Sequence, residues 1–176
     1  MPRLFTGLEI PVDVGAEIAS LRGGLPNARW IDPEDYHVTL RFIGDVGVAL
    51  ANEIAHELDA IRRREIIVAI EGLGVFGGDK PRSIYARVAA TEPLCALQGE
   101  HERLMRRIGL APETRRFTPH VTLARLRGAT PESVAAYVES RGSVRAPSFR
   151  AQRFALFSSR ESTGGGPYRV EADYPL

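Results

Sequence analysis

The tetrapeptide His-Val-Thr-Leu occurs twice, at residues 37–40 and 120–123, and the two copies use two of the chain's four histidines. Each lies in a run with strand character: Tyr36-His37-Val38-Thr39-Leu40-Arg41-Phe42-Ile43, and His120-Val121-Thr122-Leu123-Ala124. Both runs are rich in the β-branched and aromatic residues that suit a pleated, half-buried surface. Side chains alternate along a strand, so His37 and Thr39 share one face while Val38 and Leu40 share the other, and the second copy repeats the pattern. Ordinary composition yields such a coincidence on the order of once in a thousand chains, so the repeat reads as a duplicated functional element. If the two strands lie side by side, one cleft receives two imidazoles and two hydroxyls. That set suffices for acid-base chemistry at a phosphodiester, one imidazole taking a proton while the other gives one.

A length of 176 residues suits one folding domain, or two small lobes sharing a core. Apolar content of 44% beside 26% charged residues is ordinary for a globular protein, and glycine and proline are spread along the chain. A net charge of +1 excludes a protein that coats nucleic acid by charge alone. Lys80 is the only lysine, so nearly all positive charge sits on arginine, the side chain shaped for two-point phosphate contact. One cysteine, Cys95, excludes an internal disulfide and fits a reducing compartment. With no signal-like amino terminus and no apolar stretch of membrane-spanning length, a cytoplasmic protein without membrane association is expected.

Along the chain, residues 4–10 read as a strand and Val14, Ile18 and Leu21 as one stripe of a helix behind Pro11. An extended piece at 28–30 leads into the first motif strand. Leu50, Ala51, Ile54, Ala55, Leu58 and Ile61 then follow a helical period. Residues 66–70 and 83–88 read as strands joined by a glycine-rich turn at 72–80. A helix opening at Thr91 carries Leu94, Leu97, Leu104, Met105 and Ile108, and Gly109 is its natural stop. After the second motif come a helix from Pro131 to about Glu139, a strand over 149–157, a loop at 158–167 and a last strand over 168–172. Helices outside and sheets inside follow from this order. Each motif strand is preceded by a strand and a helix and followed by a helix, which suggests a weak internal duplication with both motifs in a central groove.

Other chemistry finds little support. His56 falls on the polar side of its helix, and His101 falls on an apolar stripe as a partly buried core residue. No residues show zinc-site spacing, so neither metal nor cofactor is expected. The glycine runs at 72–78 and 164–166 match no phosphate-binding motif and read as turns, with Lys80 at a solvated tip. Cys95, beside Leu94, reads as a small buried thiol. Arg41 keeps the parity of His37 and Thr39 and so faces the same cleft on a regular strand, whereas Arg125 faces away unless a bulge intervenes.

These residues resemble the two-histidine phosphoesterase superfamily, and within it the RNA 2',3'-cyclic phosphodiesterases historically called 2'-5' RNA ligases. The resemblance runs through Arg3-Leu4-Phe5, Trp30, the first motif to Gly44, Pro81-Arg82 before Tyr85, Phe117-Thr118-Pro119 into the second motif to Arg125, Phe154-Ala155-Leu156-Phe157-Ser158 and Gly166-Pro167-Tyr168. It implies a bilobal α+β fold, two pseudo-symmetric lobes of antiparallel sheet with helices on the outer faces and a central cleft. It also implies catalytic roles for His37, Thr39, His120 and Thr122, and a phosphate or substrate contact at Arg125, where parity alone favours Arg41.

The expected reaction is metal-independent hydrolysis of a terminal 2',3'-cyclic phosphate on RNA to a 2'-phosphate, by a monomer. The order carried by the resemblance makes His120 the base on water and His37 the acid to O3', with both threonines donating to the non-bridging oxygens. The same residues would also serve 2'-5' ligation, or cleavage of a small cyclic nucleotide or a 2'-5' oligonucleotide. A non-catalytic module that recognises RNA ends is a further alternative. Phe42, Phe117 and Tyr168 are candidates to stack on a base.

Overall fold

The computed structural model describes residues 1–141, 143–159 and 166–176. It contains β1 (Arg3–Glu9), α1 (Val12–Ala19), β2 (Ala28–Trp30), a 3-10 turn at Pro33–Asp35, β3 (His37–Asp45) and α2 (Val48–Leu58). These are followed by β4 (Ile66–Val68), β5 (Ile70–Phe76), β6 (Ser83–Val88), α3 (Glu92–Arg107), β7 (His120–Leu126) and α4 (Pro131–Arg141). The last three strands are β8 (Phe149–Ala151), β9 (Arg153–Ser159) and β10 (Tyr168–Pro175). The class is α+β, as expected, with every recorded strand pair antiparallel.

Eight strands form one sheet in the order β10-β9-β1-β3-β7-β6-β5, with β2 alongside β7. The two motif strands are central and adjacent, and they pair only at Val38 opposite Val121. An antiparallel ladder at this one point has a local two-fold running through it, and the element order obeys the same symmetry. The run β1, α1, β3, α2 matches β6, α3, β7, α4, with each motif strand hydrogen-bonded to the strand that opens its run. Val38, Leu40, Val121 and Leu123 turn to the opposite side from the histidines and are almost wholly buried. Ile18 of α1, Ile54 and Leu58 of α2, Leu94, Leu97 and Leu104 of α3 and Val134 of α4 join the same apolar cluster. Burying each such side chain is worth about 1.5–3 kcal/mol, so the helices are held to the sheet mainly by their apolar stripes.

Three expectations change. The glycine-rich stretch after Ile70 is strand as far as Phe76, because Gly74 lies flat beneath the Tyr85 ring and leaves room for β5 to pair with β6; the turn comes only at Gly77. The single strand expected over 149–157 is two, β8 pairing with β4 in a separate two-stranded sheet and β9 with β1 and β10. Cys95 is exposed, since its helix buries Leu94 and Leu97 and turns the thiol to solvent. The loop expected at 158–167, with part of the 164–166 glycine run, falls largely on residues 160–165, outside the described residues. No helix among the described residues is long and apolar enough to cross a membrane.

The first motif strand is packed tightly from β1. A Cβ added at Gly7 would stand 2.7 Å from the Val38 carbonyl oxygen and 3.5 Å from the Phe157 ring, so β1 approaches β3 at a distance only glycine permits. Gly7→Ala is expected to lower unfolding stability by about 1–3 kcal/mol, the usual cost of overpacking. A urea midpoint identical to that of the parent protein would contradict this packing.

Candidate active site

Both motif strands carry an irregularity at the same place. On β3 the register slips between Thr39, opposite Gly7, and Arg41, opposite Thr6, so Leu40 is the extra residue. On β7 it slips between Thr122, opposite Tyr85, and Ala124, opposite Ile84, so Leu123 is the extra residue. A bulge of this kind reverses the parity of everything beyond it. The residues that share the histidine and threonine face are therefore Phe42 and Arg125, while Arg41 and Ala124 turn into the interior. The burial records the change: Arg41 is 7% exposed and Phe42 45%.

The parity expectation for Arg41 is thus corrected. Although it borders the cleft, its guanidinium is engaged elsewhere: Nε donates to Glu102 Oε2 at 2.5 Å, Nη2 to the Ala111 carbonyl at 2.6 Å and Nη1 to the Phe42 carbonyl. Arg125 is exposed on the cleft side.

His37, Thr39, His120 and Thr122 line one cleft of about 670 Å³. The two imidazoles are held alike. His37 Nδ1 lies 2.8 Å from the Asp35 carbonyl oxygen, and His120 Nδ1 lies 2.6 Å from that of Thr118. A carbonyl only accepts, so each Nδ1 carries the proton and donates, leaving Nε2 as the unprotonated atom of both neutral rings. The Thr39 hydroxyl, 3.0 Å from His37 Nε2, donates to it.

Each imidazole is backed by a stacked aromatic pair from the two strands beyond it. Phe5 and Phe157, with centroids 5.0 Å apart, stand behind His37. Phe76 and Tyr85, 4.2 Å apart, stand behind His120. Tyr168 adds an edge contact to His37 at 4.9 Å, its backbone N–H donating to Asp35 Oδ1 at 3.0 Å.

Burial against these rings lowers the His37 pKa to about 4; the bond to the Asp35 carbonyl works the other way, and the nearby His120 and Arg125 charges lower it further. His120 is lowered as well, by burial first and by Arg125, against its bond to Thr118. The cleft is rich in cations. Arg3, Arg41, Arg82, Arg115, Arg116 and Arg125 line it against the carboxylates of Asp35 and Glu113. Arg3 pairs with Asp45 and Arg115 with Glu113, whereas Arg82, Arg116 and Arg125 form no ion pair among the described residues. Two neutral imidazoles beside uncompensated guanidiniums make a pocket for an anion with several oxygens.

The remaining histidines lie elsewhere. His56 is exposed on α2, and His101 is fully buried on α3, bonded through Nδ1 to the Thr6 hydroxyl at 2.9 Å. No group of three or more His, Cys, Asp or Glu suited to a metal ion occurs among the described residues. Sequence reasoning missed Arg82, Arg115, Arg116 and the aromatic pairs. The adjacent arginines just ahead of Phe117-Thr118-Pro119-His120 were a signal; the aromatics, spread over four strands, acquire meaning only once the sheet order is known.

A cleft with one His-x-Thr from each half of a duplicated antiparallel sheet defines a two-histidine phosphoesterase architecture. The profile of the family described as "LigT like Phosphoesterase" matches residues 8–85 and 88–168, and the chain belongs to that family. An RNA 2',3'-cyclic phosphodiesterase of Aquifex aeolicus is 30% identical over 153 residues, 84% of this chain and 81% of that protein. One from Aeropyrum pernix is 39% identical over 108 residues, 60% of this chain and 61% of its own length; the match thus spans less than two thirds of that relative. The crystal structure of E. coli LigT complexed with 3'-AMP superposes with a TM-score of 0.79 at 22% identity, covering 100% of this chain and 99% of the other, a likeness of fold.

The lowered histidines make stability depend on pH. His37 falls to about 4 and the buried His101 to about 3, from an ordinary value of about 6.5. Between those values the unfolded chain binds protons that the folded chain does not, so stability is complete above about pH 6.5 and is lost as pH falls toward 4. Urea midpoints measured at pH 7, 5.5 and 4 should decline steadily. A flat series would show that neither ring is held neutral.

Proposed function

We propose that this protein hydrolyses a terminal ribose 2',3'-cyclic phosphate on RNA to a 2'-phosphate, without a metal ion. The observation that carries the reading is the matched pair of Nε2 atoms: both rings are locked by a carbonyl two residues upstream and open onto one cation-lined cleft. The names of the Aquifex aeolicus and Aeropyrum pernix relatives support the same substrate class.

In this reading His120 Nε2 takes a proton from water as the water oxygen bonds to phosphorus. The P–O3' bond breaks and His37 Nε2–H gives its proton to O3', leaving a 3'-hydroxyl and a 2'-phosphate. Protonation of His37 ends its acceptance from Thr39, so that hydroxyl is released to donate to a non-bridging oxygen, with Thr122 on the other side. Arg125, unpaired beside both rings, complements the growing charge. Of the aromatic candidates, Phe42 presents the most open ring on the cleft face for a base to stack on. The acting unit is a single domain, residues 1–176, built of two interleaved lobes and working as a monomer in the cytoplasm. The continuous sheet and the apolar cluster shared by both halves support one unit.

Incubation of the purified protein and chelator with a short RNA ending in a cyclic phosphate should yield the 2'-phosphate. His37→Ala and His120→Ala should each lose about 10²- to 10⁴-fold in kcat/KM with unchanged circular dichroism. Full activity in both variants, or none in the parent, would overturn the reading.

One hydrogen bond favours a second assignment of roles. The Thr39 hydroxyl donates to His37 Nε2 and so holds that atom as an acceptor, which suits His37 as base and His120 as acid. A phosphodiester whose leaving group is p-nitrophenolate needs no acid. The alanine variant that recovers most activity on it marks the acid: His37 under the order carried by the family, His120 under the exchanged order.

A further inference from the structure

We propose that Arg41 is a positioning residue that couples the first motif strand to the segment feeding the second. The inference rests on the proposed phosphodiesterase reading. Between α3 and β7, residues 110–119 form no regular structure, yet Arg115, Arg116, Phe117 and Thr118 all reach the cleft from this segment. Its middle is tied to the fold by a small set of bonds. Arg41 Nη2 donates to the Ala111 carbonyl at 2.6 Å, and Arg41 Nε holds Glu102, whose other oxygen accepts the Glu113 N–H at 3.1 Å.

Glu113 in turn fastens Arg115, accepting from its backbone N–H at 2.9 Å and from Nε and Nη2 at 3.1 Å each. A buried guanidinium on β3 therefore sets, through α3, the backbone that delivers a cleft cation and the carbonyl that orients His120. The Arg41 and Glu102 side chains are 8% and 19% exposed, so solvent screens the pair weakly. The duplication sharpens the assignment. The matching position past the second bulge is Ala124, fully buried and without a polar group, so burial at this point of the motif does not itself require a charge. The arginine is needed on the strand whose neighbouring segment lacks its own backbone ladder.

Arg41→Met and Glu102→Gln test this against the parent, with Ile66→Ala in the small two-stranded sheet as a destabilised control. In both test variants amide exchange over residues 111–118 should quicken while β1 and β9 stay protected, and nitrogen shifts of His120 should leave the pure Nδ1–H form. Hydrolysis should fall by about ten- to a hundred-fold, the consequence of displacing a positioned group by about an ångström. The double variant should be no worse than the poorer single one, and Ile66→Ala should keep its kcat/KM. Arg41→Lys, which keeps the charge but cannot bond Glu102 and Ala111 together, serves if Arg41→Met fails to fold, and should show the same local exchange. Unchanged exchange over 111–118, or additive losses in the double variant, would overturn the inference. Absence of hydrolysis in the parent would instead overturn the function, leaving the exchange and tautomer readouts to judge Arg41.

Discussion

The two motif strands meet at one antiparallel residue pair, Val38 against Val121, and the arrangement of the site follows from that contact. Each valine points into the core, which forces its neighbours on either side, His and Thr, onto the opposite face. Because the pair is self-complementary, the same operation that superposes one valine on the other carries His37 to His120 and Thr39 to Thr122. The ladder thus brings both imidazoles to one face of the sheet, and the residues just upstream, Asp35 and Thr118, set only the orientation of each ring. The nearly inaccessible core beneath fixes the register, since a slip of one residue would drive both histidines into the apolar layer.

What could be read in the sequence was what depends on short periods. The His-x-Thr faces, the apolar stripes of the helices and the stop at Gly109 are local, and they recur in the structure at or near the expected positions. Arg41 and Arg125 could not be read the same way. Alternation holds only while the ladder is regular, and both strands break it one residue after the threonine, at Leu40 and Leu123. Neither leucine announces a bulge; the extra residue is dictated by pairing with β1 and β6, partners remote in sequence. Gly74 failed for a related reason. A glycine in a run of glycines signals a turn, but here it gives Tyr85 a place to lie, which only the register of β5 against β6 reveals. Cys95 was misplaced because one helical step separates the buried stripe from its solvated flank.

The site also sets two requirements against each other. The proposed acid-base work at one phosphorus needs a proton on one ring and none on the other, yet burial and the Arg125 charge hold both rings below their ordinary value. An anion resolves the conflict. A phosphodiester lodged between the rings brings a negative charge within reach of both, offsets Arg125, and raises the proton affinity of whichever imidazole it approaches. The cleft therefore suits an anion, and in the proposed reaction the substrate itself completes the protonation state that the two rings need.

A symmetric pocket cannot by itself distinguish acid from base, so the departures from the two-fold carry the functional information. At the cleft-facing position past each bulge one half has Phe42 and the other Arg125; at the buried position one half has Arg41 and the other Ala124. The first exchange places an open aromatic ring on the His37 side and a cation on the His120 side, an asymmetry that in the proposed reading would orient a ligand made of a flat base and a charged phosphate. The second places a buried cation where the chain must brace an irregular segment instead of a strand. Tyr168, brought to His37 by the Asp35 carboxylate, deepens the burial of that imidazole beyond what its own aromatic pair provides. Each departure acts on a different property: orientation, support and proton affinity. Duplication supplied two equivalent imidazoles, and these few substitutions around them suffice to make the two inequivalent.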